Sequence, residues 1–429
     1  MKKSMKTGVS LIIGIYVIAG LYIVTGCEKQ SDNTEISEPI QITLNAPEQL
    51  LAEKGKSFSF SLLSSVISSE ETDKNISISP FSLNSCLAMV LNAAAGPSKD
   101  SVKKAMGYDD FTVSEVNSYF KKVREAVLKT DNTTQVIIAN SIWYRQEATP
   151  ELPFVNINKS FFNAEINPID FSNQGNVNLI NDWCSDKTNG LINEAIDKIK
   201  PEDFMYLINA LYFKAIWQKG YEFDKKNTVS TNFNLGSGGV AQVNMMKAEL
   251  KLPYYSDQNL SMISMPYGNG AFSMLFFLPA PTKDPLQTVV LLSDEEYLNS
   301  VIGGAYEKNQ QQTVRVEIPK FKFRFNKSLN DILKERGMAI VYDPFRADFT
   351  DAFRGVPLIV SDVKQLNYIN VDEEGTEAAA VTVVTFGVNS VPQFTEFRLD
   401  RPFLFAIREN TSGVILFAGR VGNPALKGD

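Results

Sequence analysis

The chain has 429 residues, with 42 Lys+Arg against 49 Asp+Glu, three cysteines and no histidine. Without imidazole there is no Ser-His-Asp or Cys-His nucleophile pair, no His metal ligand, and no side chain whose unperturbed pKa lies near neutrality, so most hydrolase chemistry is excluded. At 44 % apolar and 21 % charged residues the composition is that of a globular protein, and the net charge of −7 argues against nucleic acid as a partner.

The chain opens with Lys2, Lys3 and Lys6 ahead of an uncharged run from Thr7 to Gly26. A basic region followed by an apolar one is the pattern of a secretory leader, and the run is also long enough to be a membrane span. Val24-Thr25-Gly26-Cys27 resembles the bacterial lipoprotein signal, which favours a cleaved leader over residues 1–26 and lipidation of Cys27. Residues 27–45 are polar, lack an apolar period and read as a flexible tether. The resemblance implies a place in a bacterial cell envelope, lipid-anchored to the outer membrane on its periplasmic or surface-exposed face.

Residues 46–429 show no linker or repeat and read as one domain. Leu50, Leu51, Phe58, Leu62 and Val66 have helical spacing over residues 47–69. Ser79-Pro80 supplies an N-cap and a first-turn proline for an apolar helix through Ala95, stopped by Gly96-Pro97. Further helices are expected over Ser98 to Met106 and Ser114 to Lys129, the second with Lys121, Lys122, Arg124 and Lys129 on a solvated face. Strands dominate later, over Gln135 to Tyr144, Phe204 to Trp217 and Gln312 to Phe325. In the last, Val314, Val316 and Ile318 alternate with charges, and Phe321, Phe323 and Phe325 do so again after Pro319. The order indicates an α+β fold with large antiparallel sheets. Cys86 and Cys184 lie in apolar helix-like flanks and read as buried free thiols, with a disulfide between them as the alternative.

Catalytic motifs fail on context. Ser101-Val102-Lys103-Lys104 has its companion motifs misplaced, in the tether and leader, and Gly236-Ser237-Gly238-Gly239 lacks the lysine of a phosphate cradle. No metal or cofactor site emerges. What remains is Glu373-Glu374-Gly375-Thr376-Glu377-Ala378-Ala379-Ala380, followed by an uncharged β-branched stretch to Pro392. Alanines are poor strand formers and three carboxylates resist burial, so this segment is expected outside the core.

Glu373 to Ala380 resembles the hinge of the reactive-centre loop of inhibitory serpins. Asn75 to Leu83, Asn181 to Ile192, Asn209 to Trp217, Phe397 to Ile407 and Gly419 to Pro424 resemble serpin segments in the family's order. The resemblance implies the serpin fold, about nine helices around three β-sheets with an exposed reactive-centre loop near residues 373–396. It implies a monomeric, single-use inhibitor and no enzyme: a serine or cysteine protease cleaves the loop, forms an acyl-enzyme, and is trapped as the hinge inserts into the main sheet. Alternation would send Thr376, Ala378, Ala380, Thr382, Val384 and Phe386 inward and Glu377 outward. Loop length in the family places the reactive bond at Asn389-Ser390, with Val388 and Gly387 as alternatives. Asn389 suits an Asn-preferring target and Val388 an elastase-like one; the lack of Lys or Arg between Glu377 and Arg398 argues against trypsin-like targets. Ser79, Ser82, Asn209, Trp217 and Gln365 correspond to the sheet-opening region, with Gln365 where relatives often carry histidine. A non-inhibitory serpin that binds or transports a ligand is the rival reading.

Overall fold

The computed structural model describes residues 36–200, 203–307, 311–376 and 395–426. Cys27, the leader, Glu377 to Ala380 and the reactive-bond candidates Gly387, Val388, Asn389 and Ser390 lie outside the described residues. The described residues form nine α-helices and three β-sheets. The α+β expectation holds.

The helices begin where their capping chemistry says they should. Asn45 caps Ala46–Ser68 through a reciprocal box with Glu48, and the Ser79 hydroxyl accepts from the Ser82 amide at the head of Pro80–Ala93, with Pro80 at the first helical position. Apart from Cys86, every residue of Pro80–Ala93 is buried, and this segment is called the floor helix below. It ends two residues before the expected Ala95, because Ala94 is already extended.

The largest sheet orders its strands as Ile76–Ile78, Ile415–Val421, Phe403–Glu409, Phe272–Pro279, Leu260–Tyr267, Val240–Ser256, Gln311–Pro319 and Thr395–Arg398, with Val229–Asn234 also on Val240–Ser256. A four-stranded sheet runs Gly375–Thr376, Met205–Ile216, Gln135–Arg145, Glu165–Ile169. The third sheet is the antiparallel pair Phe321–Ser328 and Lys364–Val371. The alternating run from Gln312 to Phe325 therefore divides at Lys320 between two sheets. Val314, Val316 and Ile318 are buried before the break and Phe321, Phe323 and Phe325 after it, so the alternation slips by one residue there; the pattern carries burial and the break but not the new partner.

Two expectations are corrected. The segment before Asn45 is not a free tether over its last ten residues: Ile42 and Leu44 are buried, Thr130 donates its hydroxyl to the Ile40 carbonyl at 2.8 Å, and Asn269 donates to the Ser37 carbonyl at 3.0 Å. Apolar residues two apart, Ile42 and Leu44, supply enough burial to dock an otherwise polar stretch. Glu373 and Glu374, expected outside the core, are 3 % and 6 % exposed.

Candidate functional site

The strands Met205–Ile216 and Lys364–Val371 run beside one another but do not pair among the described residues; each has its ladder on its far side, to Gln135–Arg145 and to Phe321–Ser328. Between them lies a fissure with a cavity of about 200 Å3, walled by the two strands and based on the floor helix through Ser82, Leu83, Cys86, Val90 and Ala93. Residues Tyr206, Ile208 and Ala210 turn toward Trp183 and Cys184, whereas Leu207, Leu211, Phe213 and Ala215 join the main core.

The two strands hold the floor helix by separate bonds. Ser82 donates its hydroxyl to the Asn209 carboxamide oxygen, and Asn209 donates in turn to Asn140 at 2.6 Å. On the other side Gln365 clasps the backbone of Ser79, accepting from its amide at 3.0 Å and donating to its carbonyl at 2.7 Å, while Asn367 donates to the Ser77 carbonyl at 3.0 Å. Gln365 thus meets Ser79, whose hydroxyl accepts from the Ser82 amide, so the four residues form one chain of bonds, Gln365 to Ser79 to Ser82 to Asn209, with Gln365 making no direct bond to Ser82 or Asn209. A carboxamide performs this two-way clasp without titrating. One helical turn beyond Ser82, the Cys86 thiol donates to the Leu207 carbonyl at 3.7 Å. Burial pushes the thiols of Cys86 and Cys184 up to about 12, and both are free rather than disulfide-bonded.

At the upper end the fissure closes over a tight turn. Asp372 and Gly375 exchange backbone hydrogen bonds at 3.0 and 3.3 Å, so Glu373-Glu374 is the tip of a two-residue hairpin. Gly375 and Thr376 then pair antiparallel with Ile216 and Ala215. Gly375 sits at φ 142°, and a Cβ there would stand 2.3 Å from the Ala215 carbonyl, so only glycine fits. Trp217 is the wall of this end: its amide donates to the Glu374 carbonyl at 2.9 Å, its indole to the Asp372 carbonyl at 3.1 Å, and its ring stacks on Tyr267 at 4.5 Å. The Thr376 and Tyr267 hydroxyls share a hydrogen bond of 2.7 Å, which fixes Thr376 inward.

Ion pairs make the burial of the turn tolerable. Glu373 accepts from Lys320 at 2.6 Å and from the Thr228 hydroxyl at 2.8 Å, and Glu374 from Lys225 at 2.5 Å. Burial alone would raise the Glu373 carboxyl, but the bonds from Lys320 and Thr228 outweigh it and hold it below its usual value. Asp372 has no such lysine bond, and burial leaves its carboxyl raised although it accepts from the Glu374 amide. Lys320, Lys225, Thr228, Tyr267, Asn140 and Asn367 escaped the sequence reading; nothing in their local patterns marks them, since each meets its partner only through the fold.

A model of the family described as Serpin (serine protease inhibitor) matches residues 53–424. Glia-derived nexin of Rattus norvegicus is 30 % identical over 87 % of this chain and 94 % of its own length. Leukocyte elastase inhibitor A of Mus musculus is 30 % identical over 82 % of this chain and 93 % of its own. Among solved structures, a thermophilic serpin, tengpin, in its native state aligns with a TM-score of 0.79 at 29 % identity, over 90 % of this chain and 97 % of tengpin. The matched span contains the floor helix, both walls of the fissure and the hinge turn, and the chain belongs to the serpin family.

Proposed function

We propose that this chain is a suicide inhibitor that traps a serine or cysteine protease as an acyl-enzyme by inserting its cleaved loop into the fissure. Serpins are protease inhibitors rather than catalysts, and the name of one relative records elastase inhibition. The finer reading is supported most by the hinge turn, which is already folded over and paired in one register above unpaired strand edges.

That register can be extended. Pairing Gly375 with Ile216 on one side and with Asp372 on the other sets Thr382 opposite both Asn209 and Gln365, Val384 opposite Leu207 and Val363, and Phe386 opposite Met205 and Ser361. Ala378 falls opposite Phe213 on the core side, and Glu377 opposite Lys214 on the outer side. Uncharged residues thus enter the core while the one carboxylate meets a cation. Fast insertion leaves the acyl-enzyme no time to hydrolyse; slow insertion would make the chain a substrate.

The reactive bond is Asn389-Ser390, with Val388 or Gly387 as neighbouring alternatives, and the target is elastase-like or Asn-preferring rather than trypsin-like. Lipidation at Cys27 would hold the monomeric inhibitor at a bacterial envelope, facing host or endogenous proteases. Incubation with a protease panel should yield an SDS-resistant complex with at least one serine or cysteine protease, and Ala378→Arg should convert trapping into plain cleavage. Cleavage by every active protease with no complex would instead mark a non-inhibitory serpin.

A further inference from the structure

The described residues ahead of the first helix form a strap that crosses three loops. Along residues 36–45 the Ser37 amide donates to the Asn132 carboxamide oxygen at 3.4 Å, the Thr130 hydroxyl to the Ile40 carbonyl at 2.8 Å, and the Ile42 amide to the Thr411 hydroxyl at 3.2 Å. Ile42 and Leu44 are buried in the main core, whereas Ile36 and Ile40 are exposed. The order of this stretch is balanced against two apolar side chains and a few hydrogen bonds, so the strap can leave its seat while the rest stays folded.

Asn269 is where the strap meets the hinge end of the fissure. Its side chain is buried and both of its carboxamide hydrogens are used, one on the Ser37 carbonyl at 3.0 Å and one on the Thr130 carbonyl at 2.9 Å, while its oxygen accepts from the Ala271 amide at 2.9 Å. The Asn269 amide donates to Asp131 at 3.3 Å. Gly268, beside it, sits at φ 48°, and a Cβ there would stand 2.2 Å from the Thr133 hydroxyl oxygen and 2.3 Å from the Asp131 carboxylate. The Gly268 amide donates to the carbonyl of Ile216, the residue that pairs with Gly375, at 2.9 Å. Tyr267 then stacks on Trp217 and shares its hydroxyl with Thr376, and the Gly270 amide closes the turn on the Tyr267 carbonyl at 2.7 Å. One tight turn, residues 267–270, therefore holds the strap on one side and the hinge on the other.

We propose that the strap is a regulatory clamp on the hinge. Docked, it completes the bonding of Asn269 and keeps the turn that carries Tyr267 in place against Trp217 and Thr376. Released, it leaves a buried carboxamide hydrogen of Asn269 unpaired, and turn and hinge loosen together. The effect on inhibition rests on the loop-insertion reading, but the coupling itself is a property of the uncleaved chain.

The test is hydrogen exchange by mass spectrometry on the uncleaved full chain, without protease, read in peptides spanning residues 36–45, 213–218 and 265–271 and in the floor helix. Wild type is compared with Ile42→Asp/Leu44→Asp, whose carboxylates cannot be seated in the core, and with the milder Leu44→Ala. The strap should be protected in wild type and released in the double variant. Exchange at the Trp217, Gly268 and Gly270 amides should then rise by at least about tenfold while the floor helix is unchanged, and Leu44→Ala should shift the same peptides by a smaller factor. A strap unprotected in wild type overturns its docking. A released strap with hinge peptides at wild-type rates overturns the coupling, as does acceleration in both variants that is equal in the floor helix. Because neither protease nor cleavage enters the measurement, a chain that shows the coupling yet traps no protease overturns the proposed function alone.

Discussion

The two ends of the fissure are built on opposite principles. At Trp217 the chain has closed: the hinge hairpin is paired, its carboxylates are matched by Lys320 and Lys225, and the Trp217–Tyr267 stack covers it. Around Asn209 the strands stand apart, each tied to the floor helix instead of to the other. An unpaired strand edge leaves backbone donors and acceptors without the ladder bonds they can make, so the middle of the sheet stores free energy that a new strand would release. The hinge end is already paired, and its register is the one in which that strand would enter. Order of entry and driving force are thus held by different residues of the same strand pair.

Mutations at the two ends should therefore separate. The largest effect is expected at the hinge, where Lys320→Ala leaves the buried Glu373 carboxylate without its cation and costs about 3 kcal/mol. Urea denaturation of the intact chain measures this, and a loss below 0.5 kcal/mol, on the order of an exposed ion pair, would break the contrast drawn for the hinge. Next, Gln365→Ala removes both bonds to Ser79 and strands a buried amide and carbonyl, at about 2 kcal/mol. It should act on the intact form and speed spontaneous loss of inhibitory activity, because one wall of the fissure is released from the floor; an unchanged half-life would show that the clasp does not restrain opening. The smallest effect is expected at Asp372. Its raised carboxyl pKa means that the ionised form is disfavoured in the fold, so the destabilisation is present at neutral pH and disappears as pH falls through the folded-state value. Asp372→Asn should raise the melting temperature at pH 7 and have progressively less effect toward acid. Glu373 has the opposite sign: its lowered pKa contributes stability above the unfolded value that is lost as pH falls through the folded one. Thermal melts of wild type and Asp372→Asn across that range separate the two carboxylates.

Much of this arrangement is legible in the chain because it is local. The Ser79-Pro80 cap, the alternation of Val314 to Phe325 and the small residues after Gly375 are patterns within a few residues, and they place the floor helix, the buried strand faces and the hinge. Burial of Glu373 and Glu374 is not local. Their partners Lys320 and Lys225 lie 53 and 149 residues away, and without them the carboxylates belong outside the core, as the sequence suggests. The same holds for the chain of bonds at the fissure. Ser79, Ser82, Asn209 and Gln365 are identifiable by resemblance, but which bonds which depends on the separation of two strands. The docking of Ile36 to Asn45 rests on Thr130, Asn269 and Thr411, none of them near in sequence. At the Pro319 break the buried positions shift from Val314, Val316 and Ile318 to Phe321, Phe323 and Phe325, a slip of one residue that marks the break locally but does not say which strand the second half pairs with.

The central claim is that the fissure is the place the cleaved loop enters. Hydrogen exchange on the full chain, before and after a single cleavage within residues 387–390, tests it most directly at the backbone of Met205–Ile216 and Lys364–Val371. Insertion predicts that amides of both strands around Leu207 and Leu366 become strongly protected on cleavage, together with a rise in thermal midpoint. Cleavage that leaves exchange at those amides unchanged would contradict the account, however tightly the chain binds a protease.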